Sequence, residues 1–513
     1  METIINPFRF KWWALIGLSL LAFTAFLDFT IVNTALPAIQ KSLDAPVVKL
    51  QWIVSIFALM LTVLMIAMGK LGDILGRRKI FYIGCLLFIF AAVGAGLAPS
   101  INWLIFFRAW QGVGAAIVFT LAAALVPTAF PEAEQNSAIG IYNAITGVGL
   151  AIGPFLGGVL VNLFNWRAVF FVNVPIIVLG FLCCSFSVKE SKSISNAKID
   201  WRGLGLLIVG VGSLVFSISR INGGGFDFAS GLMILGGAAI LFLLFVVEKR
   251  IPHPLLDLDV FHNPQLLLGV LISVGGGIIS LILLFFAPLY LSVIKGLAAF
   301  PVGLCLIAMP FAQVLVSLFW GKIDKTLGIN RVVIAAFAAG GFAAILQLWF
   351  TSATSYVLII ITFLLAGIIW GCANCVAISI AVRNVASEKV GSVIGTFFTF
   401  WNLIGSVALT IASIIFSRSE VFFMNQLLAS HDITLTAAQN DLIVASLADP
   451  ERSQQLLAQL VAGKAEKILP LFKYAFLQGF HDAIWLALLL LFTGLMWGWW
   501  LVRSLKYRTG ETA

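Results

Sequence analysis

The sequence predicts an all-α polytopic membrane protein with fourteen transmembrane helices. Three observations carry that reading. Of 513 residues, 61% are apolar and only 10% are charged, against about 45–50% and about 25% in a soluble domain. Mean hydropathy is +1.08. The apolar residues gather into runs that match the roughly 20 residues needed to cross a bilayer. A soluble chain of this length would fold as about three domains, and so few charges could not cover their surfaces.

The runs fall near 12–36, 50–69, 80–98, 103–126, 136–163, 168–187, 203–219, 230–247, 266–290, 299–320, 332–350, 356–381, 391–416 and 479–502. The connectors are short except for 417–478. The first run is too long for a leader peptide, lacks a small-x-small cleavage site and carries an acid. In the long connector, Asp449-Pro450 before Gln454–Leu460 and Gly463 read as the cap, first turn and stop of a further helix. All six cysteines lie in apolar runs. Cys372 and Cys375 form a C-x-x-C without a second pair, which reads as buried small residues rather than a metal or redox centre. No cofactor or metal is expected.

The net charge of +9 does not point to nucleic acid, because the basic residues form no stripe or face. They sort by loop instead. With the N-terminus inside, twenty Lys and Arg fall in inner segments and five in the short outer loops. The positive-inside rule then puts both termini in the cytoplasm.

A repeat appears next. Gly69-Lys70-Leu71-Gly72-Asp73-Ile74-Leu75-Gly76-Arg77-Arg78 follows the second run. Gly321-Lys322-Ile323-Asp324-Lys325-Thr326-Leu327-Gly328-Ile329-Asn330-Arg331 follows the tenth. Both begin Gly-Lys, hold an Asp, keep two glycines seven apart and end in Arg. Runs 1–6 and 9–14 therefore read as parallel repeats around an inserted pair, as in secondary transporters. The expected units are 1–187, 188–265 and 266–513.

These motifs are specific enough to name a resemblance. Gly69–Arg78 resembles the loop signature of the major facilitator superfamily, with Ile74 where a basic residue is usual. Leu27-Asp28-Phe29-Thr30-Ile31-Val32-Asn33-Thr34-Ala35-Leu36-Pro37 resembles the first-span signature of its fourteen-span drug:proton antiporters, the EmrB/QacA type. Arg108-Ala109-Trp110-Gln111-Gly112-Val113-Gly114 and Gly149-Leu150-Ala151-Ile152-Gly153-Pro154-Phe155-Leu156-Gly157-Gly158 resemble that family's span-4 and span-5 motifs. Asn165-Trp166-Arg167 with Asn173 and Pro175, and His253-Pro254 with Asp257 and Phe261, also fit. The resemblance implies two six-helix bundles plus two inserted helices. It also implies proton-driven export of lipophilic compounds through the bacterial inner membrane. In a Gram-negative cell it admits a periplasmic adaptor and an outer-membrane channel as partners.

Physical chemistry selects residues within this frame. A charge inside the bilayer costs roughly 2.5–3.5 kcal/mol on insertion scales and marks function by default. Asp28 is the acid placed well inside a run, and Arg108 is its basic counterpart. Counting from the outer ends of their runs puts them about 12 Å and about 8 Å deep. Desolvation pushes a carboxyl toward its neutral form and a guanidinium favours the ion, so Asp28 reads as the proton carrier and Arg108 as its tuner. Gly149, Gly153 and Gly157 clear one helix face for close approach. With Pro154 and Gly158 they are the expected gate. Gly69, Asp73, Gly76, Arg77 and Arg78 are the expected cytoplasmic latch. The expected substrate cavity comprises Phe23, Phe26, Thr30, Asn33, Gln111, Asn143, Gln313, Trp370, Asn374, Phe397, Trp401 and Asn402, rings and amides suited to bulky lipophiles.

The leading function is thus a proton-coupled antiporter for lipophilic small molecules, working by alternating access. Export of one native metabolite (a siderophore, lipid or amino acid) is an alternative in the same class, and a non-transporting receptor or scaffold one in another. An enzyme has no support in the residues. No G-x-x-x-x-G-K-[ST] loop appears, so the energy source is an ion gradient.

Overall fold

A computed structural model of the chain describes residues 7–45, 47–190, 200–224, 227–250, 262–297, 299–430 and 465–509. Among these residues the chain is helical almost throughout. The first half comprises α1 (Pro7–Leu43), α2 (Val47–Leu75), α3 (Arg77–Gly96), α4 (Ile101–Leu125), α5 (Glu132–Leu163), the short α6 (Ala168–Phe171) and α7 (Asn173–Ser187). α8 (Trp201–Gly224) and α9 (Phe228–Glu248) follow. The second half comprises α10 (Pro264–Leu289), α11 (Ala299–Leu306), α12 (Ala308–Leu318), α13 (Trp320–Gln347), α14 (Tyr356–Asn384), α15 (Val390–Ser430) and α16 (Ala465–Thr509).

Thirteen of these segments are long and apolar enough to cross a membrane. The expected span 7 is the shorter apolar stretch Trp201–Ser217 within α8. Large rings such as Phe186, Phe242, Trp497 and Trp500 are exposed, a surface suited to acyl chains rather than water.

α1 packs on α5 and α7, and α4 on α2 and α3, to form one bundle. α10 packs on α14, α15 and α16, and α12 on α14, to form the other. The bundles meet along two seams, α2 against α15 and α5 against α12. α8 lies against α9, α2 and α15, so the inserted pair covers the first seam from outside. The repeat is visible in the backbone. Gly76 and Gly328, the second glycines of the two copies, turn at φ 102° and φ 72°. Side chains rarely adopt that region, so each helix is redirected there.

Several boundaries differ from expectation. Span 10 is not one rod: the helix breaks at Ile307 and Phe319, and the last turns before Gly328 belong to α13. The connector at 417–478 is shorter, because α15 runs on to Ser430 and α16 begins at Ala465. Arg418, Glu420 and Gln426 read as the end of a span, but Phe416, Glu420, Met424 and Leu428 form a buried stripe at helical spacing. That stripe packs on α16 and carries both helices onward. The further helix expected at 449–463 lies outside the described residues. α5 continues unbroken across Pro154, whose ring is exposed.

The glycine face of α5 meets α1. A Cβ on Gly149 would stand 2.7 Å from Phe23 O, and one on Gly157 2.7 Å from Ile31 O. One on Gly153 would land on Thr30 Oγ1. Gly158 does not join this contact, since nothing stands within 4 Å of its Cβ position. Adjacent positions should therefore respond oppositely. Gly157→Ala should lower thermal stability in detergent by the roughly 1–3 kcal/mol of overpacking. Gly158→Ala should leave it unchanged or raise it, because Ala is favoured over Gly in a helix by about 1 kcal/mol. Equal melting temperatures for the two variants would contradict this packing.

Candidate functional site

Three arrangements are built on this frame: a buried ion pair, a central cavity and a clasp between the bundles. Asp28 is 0% exposed, in the middle of α1. Arg108 Nη1 pairs with Asp28 Oδ2. Asn173 Nδ2 donates to Asp28 Oδ1 at 2.7 Å, and Gln111 Nε2 donates to the same oxygen at 3.2 Å. Arg108 also donates to Gln111 Oε1 at 2.9 Å and to Ile53 O at 3.1 Å. Its guanidinium lies 4.3 Å from the centre of the Phe57 ring. α4 and α7 are tied to the carboxylate of α1, and α2 is joined to it through Arg108. Arg108 and Gln111 reach it together because residues three apart share a helix face.

Such a pair holds only while every partner is in place. Removing one member of a buried ion pair costs about 3–5 kcal/mol, because the other charge is stranded. Asn173 was legible in the sequence only as part of a motif, since an uncharged amide gives no sign that it faces a carboxylate.

A central cavity of about 80 Å³ lies between the bundles. Phe26, Trp370, Asn374, Trp401 and Asn402 line it as expected, joined by Phe29, Phe119 and Phe398. Phe119 bridges the bundles, with ring centroids 5.0 Å from Phe26 and 4.6 Å from Phe398. The lining holds no charged residue. Asp28 projects from a neighbouring face of α1. It reaches the cavity only through rings: Phe29 packs on Phe57 at 6.4 Å, and Phe57 carries Arg108.

The other expected cavity residues lie elsewhere. Gln111 is spent on Asp28. Thr30 donates to Leu150 O on α5 at 3.3 Å, and Phe23 lies beneath Gly149. Asn33 is exposed. Phe397 points into its own bundle against Gly269, and its neighbour Phe398 takes the cavity face. Asn143 donates to Cys375 Sγ at 3.4 Å across the α5 seam. Gln313 is buried on α12 beside Gly147 with its Oε1 unpartnered. Helical periodicity gives spacing but not the angle at which each helix faces its neighbours, so these seven could not be placed from sequence.

At the α2–α3 end, Asp73 reaches across to the start of α15. Its Oδ1 accepts from Gly391 N at 3.2 Å and its Oδ2 from Ser392 N at 2.7 Å. A carboxylate on the free amides of a helix N-terminus is favoured by geometry and dipole together. Arg77 donates to Asp73 Oδ1 at 2.8 Å and to Ser387 O at 2.5 Å. Gly69 lets the backbones close, because a Cβ there would land on Gly391 O. Arg78 does not cross. It donates to Tyr82 and to Ser185 O within its own bundle, and Glu190 accepts from the backbone amides of Arg78 and Lys79 just past Gly76.

The second copy makes a matching clasp that sequence reasoning missed. Asn136 of α5 donates to Asp324 Oδ2 at 2.6 Å, and Arg383 pairs with the same carboxylate at 2.5 Å. The repeat itself was the available signal, since each copy carries an Asp between its two glycines, Asp73 in the first and Asp324 in the second.

Loss of the first clasp should loosen this end. Charge-assisted hydrogen bonds are each worth about 1.5–3 kcal/mol. Asp73→Ala should therefore raise exposure of the α2–α15 seam, which it bridges, by roughly tenfold or more, at about 1.4 kcal/mol per tenfold. The measurement is alkylation of a cysteine introduced at Thr399, which bonds Thr62 O across that seam, in a variant whose own cysteines are Ser. An unchanged rate would mean that Asp73 does not hold the seam shut.

Comparison with known proteins fits this architecture. The sequence profile of the Major Facilitator Superfamily matches residues 18–409. Multidrug resistance protein Stp of Mycobacterium tuberculosis is 34% identical over 387 residues, covering 74% of this chain and 71% of that protein. Riboflavin transporter RibZ of Clostridioides difficile is 27% identical over 433 residues, covering 84% and 93%. The crystal structure of the human organic anion transporter MFSD10 superposes with a TM-score of 0.55 at 13% identity, over 92% of this chain and 99% of that one. That last likeness speaks to the fold alone. The profile match and the Stp likeness carry the assignment: this chain belongs to the major facilitator superfamily and is a transporter, not an enzyme.

Proposed function

We propose that this transporter exports lipophilic small molecules from the cytoplasm of a bacterial cell in exchange for protons. One observation carries the reading. An uncharged, ring-lined cavity is linked through Phe29 and Phe57 to a buried carboxylate–guanidinium pair. The resemblance to a multidrug resistance protein supports the substrate class.

The positive-inside count puts the clasp end in the cytoplasm. The bonds between bundles, from Arg77–Ser387 through Thr399–Thr62 to Asn402–Met65, then all belong to the cytoplasmic half or the middle. This is a state closed to the cytoplasm. At about 80 Å³ the cavity is also far below the roughly 300–1,000 Å³ of drug-sized sites, so it has closed on itself. Proton uptake by Asp28 frees Arg108, loosens α1 from α4 and α7, and moves the cavity wall that α1 carries. Return of the proton to the cytoplasm restores the cage.

In proteoliposomes, Asp28→Asn should fold yet lose uphill transport driven by a pH gradient. Retained uphill transport would sink the coupling role. Arg108→Lys should not restore wild-type rates, because a lysine cannot bond Asp28, Gln111 and Ile53 O together.

Charge should decide among substrates. An unpaired charge near 4 Å is worth roughly 4 kcal/mol at an effective dielectric of about 20. Cation–π contacts return only about 0.5–2 kcal/mol each. Neutral lipophiles should thus be exported best, single delocalised cations next and dications worst. Equal export of matched mono- and dications would refute the uncharged cavity as the selecting element. The likeness to a riboflavin transporter favours a second reading, transport of one flat heteroaromatic metabolite. The same export panel separates them, since a dedicated carrier would move one compound well and the rest poorly.

A further inference from the structure

Glu420 has no role in the cavity, the clasps or the ion pair, yet it is 1% exposed on α15. Its Oε1 has no hydrogen-bond partner, and no ion pair reaches it among the described residues. It sits where α15 and α16 approach most closely. A Cβ at Gly479 would stand 2.7 Å from Phe416 O and 3.4 Å from Glu420 Cβ. Rings surround this contact: Phe416 packs on Phe476 at 5.1 Å and on Phe286 at 5.3 Å.

The titratable and charged groups of the neighbouring elements are committed elsewhere. Tyr290 donates to Thr351 O at 2.8 Å, and Lys295 to Ser352 O at 2.8 Å and Thr354 O at 2.6 Å. His481 is bonded to Phe350 O at 2.9 Å. Lys473, Tyr474 and Asp482 on α16 and Arg418 on α15 make no ion pair or hydrogen bond with Glu420 among the described residues. A carboxylate ion cannot be sustained without water or a partner, whereas a carboxylic acid can.

A groove of about 350 Å³ runs along the same seam, lined by Phe423, Gln426, Leu427, Pro470, Leu471 and Tyr474. Tyr474 is half exposed, so the groove meets solvent. Phe423 stands three residues past Glu420, about 4.5 Å along the helix.

We propose that Glu420 is a second proton-binding site, loaded through this groove from the side opposite the Asp73 clasp. The carboxylic acid gives its proton to groove water and becomes a carboxylate, which the ring-lined seam cannot hold, so α15 and α16 part there. α15 is one helix from the clasp at Gly391 through the cavity at Phe398 and Trp401 to Glu420. The proton at its far end therefore acts on the rod that closes the other end. The part this plays in transport rests on the export reading; the proton site does not.

The test uses the full chain in lipid nanodiscs, without substrate. Infrared difference spectra between acid and alkaline buffer read the C=O band of protonated carboxyls. Wild type should lose a buried-carboxyl band on alkalinisation. Glu420→Gln, which keeps the shape of the acid, should lack that band, Glu420→Asp should shift it, and Asp28→Asn should keep it. In an Asp28→Asn background, a band that persists in Glu420→Gln, or no titrating band with Glu420 in place, overturns the site. In proteoliposomes the dependence of transport rate on the pH of the side opposite the clasp should flatten in Glu420→Gln. An unchanged dependence with the band lost would overturn its part in transport while leaving the site standing.

Discussion

The buried pair of Asp28 and Arg108 is the constraint on which the first bundle depends. Four helices contribute to one carboxylate and its guanidinium, by side chain from α1, α4 and α7 and by the Ile53 carbonyl from α2. Apolar helices in lipid gain little from burial alone, because acyl chains are as apolar as leucine. Packing density and polar contacts must supply their specificity. Here both are present: glycines bring α5 within van der Waals range of the α1 backbone, and the charge pair fixes how α1 is turned. A helix turned by one residue would take Asp28 away from three donors and strand Arg108. The pair therefore sets which rings of α1 reach the cavity, although it touches no cavity volume itself.

The clasps are built differently, and the difference fits their place. The central pair is made of side chains shielded from water, where electrostatic interactions are strong and a lost partner is costly. The clasp at Asp73 uses backbone amides at the start of α15 and a backbone carbonyl at Ser387. Such groups are at helix ends, where water can replace them when the seam opens. The pseudo-twofold relation supplies a second clasp at Asp324 on the other seam. Two moderate locks on opposite seams hold one end shut without making it permanent, whereas one very strong lock would trap the transporter.

Much of this was legible in the sequence because the bilayer simplifies the problem. Hydrophobic length gave the helices, and the cost of intramembrane charge singled out Asp28 and Arg108. The two glycine-bounded loops gave the repeat that Gly76 and Gly328 show in their backbone. What failed had a common cause. Length and composition say that a helix crosses, not how it is rotated about its axis. Phe397 and Phe398 were indistinguishable, and Asn143 was placed in a cavity when it faces Cys375 in the seam. The break at Ile307 stands one turn before Pro310, which cannot donate to the Leu306 carbonyl, whereas no Pro stands within a turn of the break at Phe319.

The placement of Glu420 shows the same limit from the other side. An acid near the end of an apolar run reads as the point where water begins, which is why 417 looked like the start of a loop. That inference assumes that a helix ends where lipid ends. α15 and α16 instead keep burying each other's faces through Phe416, Met424, Leu428, Phe472, Ala475 and Phe476. A pair of helices that supplies its own apolar partner needs no bilayer to continue, and any acid on the shared face is buried by protein rather than by lipid. The rule that intramembrane acids mark function rests on desolvation, and desolvation is the same in either surrounding. By that physical criterion Glu420 stands beside Asp28: both are carboxyls removed from water on a helix that lines the cavity. Among the described residues one is balanced by a guanidinium and two amides, and the other has no charged partner.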